Sequence, residues 1–548
     1  MAKMTVYKCP DGTDFPVAWE DSEDEKHGWF WDQMHTPLPV TPLSAVLWRD
    51  IGNGFNHTSD VVGLPTFGVR LNIHGFGYIR QEPYGDNQAL RERMRARDAE
   101  ERGPHLLSLW RERYEPECRA LTRSIRAMAS DVTSLEAGLE LFPQVHAARR
   151  RLGQIHMLAM GLTTEASSRF IDLCRERFGA EGELIATDLM GGFPNRSLDS
   201  ANGLWGLSEV VKELPAVEGL MRSENTGVFL ERLDGTEGGA RFRERLTAYL
   251  DEFGHRNESF SELSFPTWAE EPKFPLLMVR RYLDQPPESS PSEMHRRTER
   301  RREERLAAIA PALSGDDEAW RKFQHEMRMA QQRTVLIEDH NFYIDQQGPA
   351  ASRRFCLAIA DRLIEKGLVD DRDTAFYLTE QDMERVVAGD SASLRSLAAA
   401  RRAERERWLR VLPPASIGEA EVSMPPFMQR FFGPVANEPM GDGAIRGVGG
   451  SPGVVRATAR LILGLDDIDR LAPGEVLVTY ATAPPWTPAF AIAGAVVTDV
   501  GGTLSHCAVV AREYGIPAVV GARLATATIR DGQLITVDGT NGVVRLEG

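Results

Sequence analysis

The residues best suited to chemistry lie near the carboxyl end of the chain, around His506. An apolar run over residues 491–500 is followed by a glycine-containing turn at 501–504, and a helical pattern then extends from His506 to near Gly515. We expect Ser505 to cap this helix, so that His506 lies beside backbone N–H groups without intrahelical partners, where an anion is stabilised. A neutral imidazole nitrogen at this position could accept a phosphoryl group. The alternative is a histidine of the capping region that takes part in no reaction.

Composition limits the functions that the chain can have. Its 548 residues predict three or more domains or lobes, and a net charge of −16 argues against a nucleic-acid binder. We find neither an apolar stretch long enough to cross a membrane nor a signal peptide in the first 20 residues. The five cysteines lie far apart, which favours a reducing cytoplasm and argues against a disulfide framework or a structural metal site.

The order of elements predicts a multidomain chain with three parts. Residues 1–412 are mostly helical with some β-structure at the N-terminus, including an alternating stretch at 69–79 that predicts one strand. Residues 413–442 are rich in proline and glycine and predict a flexible linker. Residues 443–548 predict a compact α/β unit, with strands at 459–463, 476–479, 495–498, 518–520, 534–538 and 543–546.

Several side chains of the region 1–412 could form a phosphoryl-acceptor site. Histidine can remove a proton from an acceptor hydroxyl, so His255 and His340 are candidates for the general base. Arginine can hold phosphoryl oxygens, so Arg256 and Arg353 are candidates for oxyanion clamps. Aromatic residues could form the walls of a pocket for a planar substrate. For these aromatic residues a core role is nearly as well supported, and a histidine at a helix end often only satisfies free carbonyls. The candidates for the pocket are Trp29, Trp31, His35 and Phe342.

The stretch 501–521 closely resembles the phosphohistidine signature of the swivelling domain of phosphoenolpyruvate synthase, pyruvate phosphate dikinase and rifampin phosphotransferase. The matching residues are Gly501-Gly502, His506, Ala511-Arg512-Glu513 and the sequence GIPAVVG at 515–521. The resemblance implies that His506 is phosphorylated and that Thr503 and Ser505 contact the phosphoryl group. It also extends to a glycine-serine-proline-glycine pattern at 447–453 and to the loop 483–488.

Residues before the linker resemble, more loosely, rifampin phosphotransferase and above all the large subunits of phenylphosphate synthase and its cresol-phosphorylating relatives. The matching segments lie at 31–43, 254–256, 266–268 and 338–346. The resemblance implies a dikinase-type phosphotransferase that converts ATP, with Mg²⁺, to AMP and phosphate through a phosphohistidine. We find no ATP-grasp-type segment or P-loop, so we expect a separate ATP-grasp subunit in a hetero-oligomer.

The same resemblance implies a phenolic acceptor, such as phenol or 4-cresol, and a linker on which the phosphohistidine domain swivels. One alternative is an antibiotic-type alcohol as acceptor, and another is a phosphocarrier protein without a small-molecule substrate. A decayed relative is a further alternative, against which the intact motif around His506 counts.

Overall fold

The computed structural model describes residues 3–64, 66–85, 87–259, 261–313, 315–390, 393–422, 429–430, 432–433 and 443–547. The chain forms two compact units. Unit 1 comprises Met1–Leu162, Ser259–Phe265 and Tyr343–Met424. Unit 2 comprises Thr163–Glu258, Pro266–Phe342 and Pro425–Gly548.

The described part of the chain is mostly helical, with strands at the N-terminus and a mixed sheet at the C-terminus. The α-helices are α1 (Ser22–Glu25), α2 (Pro42–Val61), α3 (Gln88–Arg102), α4 (Leu106–Leu109), α5 (Glu115–Asp131), α6 (Leu135–Phe178), α7 (Gly182–Met190), α8 (Arg196–Lys212), α9 (Pro215–Ser223), α10 (Thr226–Arg232), α11 (Gly239–Phe253), α12 (Lys273–Tyr282), α13 (Pro291–Leu313), α14 (Asp317–His340), α15 (Gln347–Glu365), α16 (Glu380–Val387), α17 (Leu394–Trp408), α18 (His506–Tyr514) and α19 (Ala525–Thr528). The strands are β1 (Lys3–Lys8), β2 (Asp14–Trp19), β3 (Trp29–Trp31), β4 (Thr66–Ile73), β5 (Phe76–Pro83), β6 (Ser416–Ile417), β7 (Ala444–Arg446), β8 (Val448–Ser451), β9 (Val454–Leu461), β10 (Val476–Thr479), β11 (Ala495–Thr498), β12 (Ala518–Val520), β13 (Leu534–Asp538) and β14 (Val543–Leu546).

Unit 1 contains an antiparallel sheet of four strands in the order β4-β5-β3-β6, and a separate β1–β2 pair. The single strand predicted at 69–79 is wrong, because the stretch turns back on itself between β4 and β5. His74 and Gly75 form the turn with φ angles of 54° and 90°. Two consecutive residues with positive φ make a tight turn whose twist matches that of the flanking strands, which explains the hairpin.

The core of unit 1 is built mainly by helices. Apolar residues of α2, α5, α6, α15 and α17 form one buried cluster, in which Leu43, Ile125, Phe142 and Phe355 are all fully buried. Helix α6 continues without a break from Leu135 to Phe178. It therefore contributes residues to both units.

Unit 2 ends in a mixed sheet of eight strands in the order β7-β14-β13-β9-β10-β11-β12-β8. The neighbours β9, β10, β11 and β12 run parallel, whereas the other pairings are antiparallel. All four residues of β10 and of β11 are buried, as is typical of parallel strands covered on both faces. The predicted strands at 476–479, 495–498, 518–520, 534–538 and 543–546 agree with the structure, and β9 begins five residues earlier than expected.

Parts of the predicted linker are described and parts are not. Residues 423–428, 431 and 434–442 lie outside the described residues. At its start, β6 pairs with β3, where Ile417 lies opposite Trp29. Further along this segment, the Arg430 carbonyl accepts the Leu504 N–H at 2.8 Å within unit 2. Swivelling about this segment stays a prediction. Among the described helices, none is both long enough and apolar enough to cross a membrane.

Candidate active site

The turn before α18 places His506 at the first position of that helix. Gly501 has a φ of 116°, and a Cβ at this position would lie 2.8 Å from Ser505 Oγ, so the turn requires glycine. Ser505 Oγ accepts the backbone N–H of Ala508 and thereby caps the helix, as the sequence predicts. Gly515, with a φ of 67°, ends it in a left-handed conformation.

The motif arginine holds the turn in position from behind. Arg512 donates one hydrogen bond to the Gly450 carbonyl at 2.6 Å and another to the Thr503 carbonyl at 2.8 Å. Burial lowers the pKa of Arg512 to about 10, so it remains charged at neutral pH. Leu504 is 3% exposed and packs into an apolar cluster with α6, α7 and α14 residues of unit 2, including Phe170 and Leu189. Burying a leucine side chain contributes about 1.5–3 kcal/mol, which helps to fix the turn.

Both ring nitrogens of His506 face a polar side chain. Nδ1 lies 3.0 Å from Glu338 Oε1, and Nε2 lies 3.3 Å from Thr487 Oγ1. Glu338 is 3% exposed, and its other oxygen accepts the Ser197 hydroxyl at 2.5 Å. Burial alone would raise the pKa of Glu338, but His506 and Ser197 outweigh burial and lower this pKa below its usual value. Glu338 is therefore a carboxylate at neutral pH.

This arrangement determines which nitrogen can react. A carboxylate only accepts hydrogen bonds, so Nδ1 of His506 must carry the proton that Glu338 accepts. In the neutral imidazole the lone pair is then on Nε2. The nucleophilic nitrogen accordingly points toward Thr487, and Glu338 stabilises the positive charge that the ring acquires when Nε2 forms a bond.

A short 3₁₀ helix at Pro484–Ala491 carries Thr487, and two buried side chains hold it. Arg256 is fully buried and donates from Nη1 to the Pro484 carbonyl at 3.1 Å and from Nη2 to the Arg196 carbonyl at 3.4 Å. The Tyr282 hydroxyl donates to the Pro488 carbonyl at 3.2 Å. Burial lowers the pKa of Arg256 to about 10. The structure thus shows Arg256 positioning the loop of Thr487, and its predicted contact with a phosphoryl group stays a prediction.

Glu338 and Thr487 also line a narrow cleft of unit 2. The cleft has a volume of about 30 Å³, which is room for about two water molecules, since one water needs at least about 10–15 Å³. An acceptor hydroxyl fits into such a space, but a ring does not. Tyr514, another lining residue, keeps its hydroxyl buried without a hydrogen-bond partner among the described residues.

The candidates Phe342, His255 and His340 are buried side chains of unit 2. Phe342 is 1% exposed, its ring centroid lies 4.6 Å from that of His255, and the Arg196 guanidinium lies 4.4 Å from its centroid. His340 is 3% exposed and donates from Nδ1 to the Leu336 carbonyl at 2.7 Å on the same helix. The Thr503 hydroxyl is buried and has no hydrogen-bond partner among the described residues, and its contact with a phosphoryl group stays a prediction.

The candidates of unit 1 are placed in its interior. Trp29 is fully buried, and its indole N–H donates to the Asp24 carbonyl at 2.7 Å. Trp31 is 4% exposed, and its indole N–H donates to the Thr36 carbonyl at 2.9 Å. These contacts favour the core role that the sequence leaves open for both tryptophans.

His35 and Arg353 make polar contacts within unit 1. Nδ1 of His35 lies 2.9 Å from Asp32. Burial lowers the pKa of His35, but the nearby Asp32 carboxylate raises it, and the net effect is a raised pKa. Nη1 of Arg353 donates to the carbonyls of Leu263 and Ser264 at 2.8 and 3.0 Å. Arg353 therefore makes a structural contact here, and its role as an oxyanion clamp stays a prediction.

Sequence reasoning missed the residues that contact His506. Glu338 lies 168 residues away in the chain, and no local motif joins the two. A signal was available, because Glu338-Asp339-His340 interrupts an apolar stretch, 335–344, whose neighbours are buried. Buried charges are retained where they are paired or functional. Ser197 and Thr487 carry no such signal.

Two family models match parts of the chain. Residues 471–542 match the mobile domain of PEP-utilising enzymes, and residues 154–337 match the fourth domain of rifampicin phosphotransferase. The first match contains His506 and Thr487, and the second contains Ser197 and Arg256. Glu338 follows the last residue of the second match.

The chain is similar to several longer proteins. It is 34% identical to a chondramide synthase of Chondromyces crocatus, over 98% of this chain and 14% of that protein. It is 28% identical to an uncharacterized phosphotransferase of Bacillus subtilis, over 94% of this chain and 61% of the relative. It is 30% identical to the rifampicin phosphotransferase of B. subtilis, over 67% of this chain and 42% of the relative. The chain spans less than two thirds of each of these proteins. The matches support the resemblance to PEP-utilising enzymes and rifampicin phosphotransferases, and not specifically that to phenylphosphate synthase.

Proposed function

We propose that this chain carries a phosphoryl group on Nε2 of His506 and transfers it to the hydroxyl of an alcohol-type acceptor. The observation that supports this proposal most directly is the 3.0 Å contact between Nδ1 of His506 and the buried Glu338 carboxylate. It leaves the Nε2 lone pair available at a helix N-terminus, next to the hydroxyl of Thr487.

In the first half-reaction Nε2 attacks the β-phosphorus of ATP. An N–P bond forms between Nε2 and the β-phosphorus while the bond from that phosphorus to the oxygen of AMP breaks. Water then cleaves the bond between the β- and γ-phosphoryl groups, so that the products are phosphohistidine, AMP and phosphate. The ring becomes positively charged, and Glu338 stabilises it through Nδ1–H. The groups around His506 fit a phosphoryl group. We propose that ATP and Mg²⁺ are bound by a separate ATP-grasp partner, which supplies the nucleotide chemistry.

In the second half-reaction the acceptor oxygen attacks phosphorus. An O–P bond forms, the N–P bond breaks, and neutral imidazole leaves with its proton still on Nδ1. The proton of the acceptor hydroxyl must go to a base, for which His255 and His340 remain the candidates. The protein chiefly positions the reactants and stabilises charge, as in other phosphoryl transfers.

The comparisons favour an alcohol of the antibiotic type over a phenol as acceptor. Several relatives are named as rifampicin phosphotransferases, and a prodigiosin synthesizing transferase of Serratia marcescens is 31% identical over 64% of this chain. The name of the rifampicin phosphotransferases indicates an acceptor larger than phenol or 4-cresol. We therefore propose a polycyclic or macrocyclic alcohol, and treat phenol and 4-cresol as an outcome of the test.

The test separates phosphorylation from acceptor choice. Phosphoramidate, which phosphorylates imidazole without an enzyme, replaces the unidentified partner as phosphoryl donor. Wild type should gain one acid-labile, base-stable phosphoryl group, located on His506 by peptide mapping, and His506→Ala should gain none there. The phosphorylated protein is then mixed with rifampicin, phenol and 4-cresol, and the loss of phosphohistidine is followed by intact mass.

Each outcome decides one part of the proposal. Faster loss with rifampicin, together with a phosphorylated product, supports the alcohol-type acceptor. Faster loss only with a phenol would replace it with the phenolic one. Absence of label on His506 after treatment of wild type with phosphoramidate would refute the phosphohistidine assignment.

A further inference from the structure

A buried arginine of unit 1 has two guanidinium nitrogens without a hydrogen-bond partner among the described residues. Arg149, on α6, is 2% exposed. Among the described residues, neither its Nε nor its Nη1 has a hydrogen-bond partner. Burial lowers its pKa to about 10, so the guanidinium is still charged at neutral pH. A buried charge without a partner is costly, and folded proteins keep one mainly where it has a role.

A second buried side chain without partners among the described residues belongs to Gln346, which directly follows Asp345, a carboxylate that acts on Arg149. The Arg149 guanidinium packs against the start of α15, where a Cβ on Gly348 would lie 3.0 Å from Nη1. Gln346, two residues earlier, is 6% exposed, and neither its amide nitrogen nor its amide oxygen has a partner within the described part of the chain. Gln346 ends a π-helical turn at Asn341–Gln346. Such turns are rare and frequently occur at functional sites.

His156 and Leu152 lie on the same face of α6 as Arg149. His156 lies seven residues after Arg149, on the same side of the helix, and its Nδ1 is 3.3 Å from Asp345. The His156 ring stacks on Phe55 with centroids 4.7 Å apart. Leu152 lies between the two and is fully buried. The side chain of His156 is 13% exposed, so the cluster is not sealed.

Other buried arginines show what a structural role looks like in this chain. Arg353, also in unit 1, is 6% exposed and donates to two backbone carbonyls. Nε and Nη1 of Arg149 donate to none of the described residues, although α15 packs directly against Nη1. The negative charges of Asp50 and Asp345 act on it from a distance, and Asp50 is itself bonded to His146.

We propose that Arg149 and Gln346, with His156, Asp345 and the apolar Leu152 and Phe55, form a binding site for an organic monoanion. The ligand would carry one acidic oxygen group, a carboxylate or a phenolate, on an apolar body. Arg149 neutralises the charge, and Gln346 can donate to or accept from a neighbouring polar atom. A phosphate dianion is disfavoured because Asp50 and Asp345 already lie around the guanidinium.

The test compares two buried arginines of one unit. Binding of benzoate and of 4-nitrophenolate is measured by titration calorimetry and thermal unfolding, with benzamide and inorganic phosphate as probes of charge and class. The variants are Arg149→Met, Gln346→Met and, as the matched control, Arg353→Met. These measurements contain no ATP, and His506→Ala should bind the two anions as wild type does. Failure of this site can therefore be distinguished from failure of phosphoryl transfer.

The inference predicts that Arg149→Met weakens anion binding without lowering the unfolding temperature. Benzoate or 4-nitrophenolate should stabilise wild type, whereas benzamide and phosphate should not. The comparison of benzoate with 4-nitrophenolate separates carboxylate from phenolate ligands. Arg149→Met should weaken this binding at least tenfold, about 1.4 kcal/mol, yet unfold at the same temperature as wild type or higher, because an unpaired buried charge is removed. Arg353→Met should unfold at a lower temperature.

Three results would overturn the inference. One is that neither anion binds wild type, and another is that Arg149→Met binds them as well as wild type does. The third is that Arg149→Met unfolds at a lower temperature by as much as Arg353→Met, since Arg149 would then have a structural role. Gln346→Met provides a second, milder variant in which weakened binding without loss of stability is expected.

Discussion

Replacing Glu338 by glutamine should slow the phosphorylation of His506 while leaving the fold intact. The amide has nearly the same shape and can still accept Nδ1–H, so only the negative charge 3.0 Å from the ring is lost. A hydrogen bond to a charged group is worth about 1.5–3 kcal/mol, which corresponds to about 10- to 150-fold in rate. The bare Coulomb attraction at this distance, about 5 kcal/mol at an effective dielectric constant of 20, is an upper bound.

The assay is the initial rate of acid-labile phosphoryl incorporation into wild type, Glu338→Gln and His506→Ala. Glu326→Gln is the matched control, because Glu326 lies on the same helix but pairs with Arg169 instead of His506. We expect this control to react within about twofold of wild type, since surface ion pairs contribute little. Thermal unfolding of each variant shows whether the fold is kept. If Glu338→Gln reacts as fast as wild type, the carboxylate has no part in the phosphoryl step.

Three further predictions concern the turn, the loop and the response to pH. Thr487→Val removes the hydroxyl 3.3 Å from Nε2 and should reduce the phosphorylation rate about 2- to 12-fold, the value of one neutral hydrogen bond; an unchanged rate would contradict this. Gly501→Ala should lower the free energy of unfolding in urea by more than Gly532→Ala, because both have positive φ but only Gly501 has Ser505 in the way; equal losses would contradict the steric argument. Asp50 and Glu380 raise the pKa of His146 to about 9, so its stabilisation should be complete below about pH 6.5 and be lost as the pH rises through about 9. The difference in unfolding free energy between wild type and His146→Gln should therefore vanish in alkali, and a difference independent of pH would show that His146 does not titrate as described.

The local part of the fold could be predicted from the sequence. Five strands of the C-terminal sheet, the cap at Ser505 and the end of α18 at Gly515 all follow from short apolar runs and turn residues. The same reasoning missed the β4–β5 hairpin, because the alternating pattern continues through His74 and Gly75 and hides the turn.

The site could be predicted only in part, for a similar reason. His506 is recognisable because its neighbours in sequence resemble the phosphohistidine signature. Glu338 and Thr487 reach it only through the tertiary fold of unit 2, as does Ser197, which contacts Glu338. Burial likewise decides between pocket wall and core for Trp29, whose type and spacing fit both roles.

The most direct test of the account is to identify the nitrogen of His506 that carries the phosphoryl group. The protein is phosphorylated with phosphoramidate and examined by ³¹P NMR under alkaline conditions, in which the two phosphohistidine isomers are stable and have distinct shifts. The account predicts the Nε2 isomer, because Glu338 holds the proton on Nδ1. The Nδ1 isomer, or a signal that persists in His506→Ala with no difference from wild type, would contradict it.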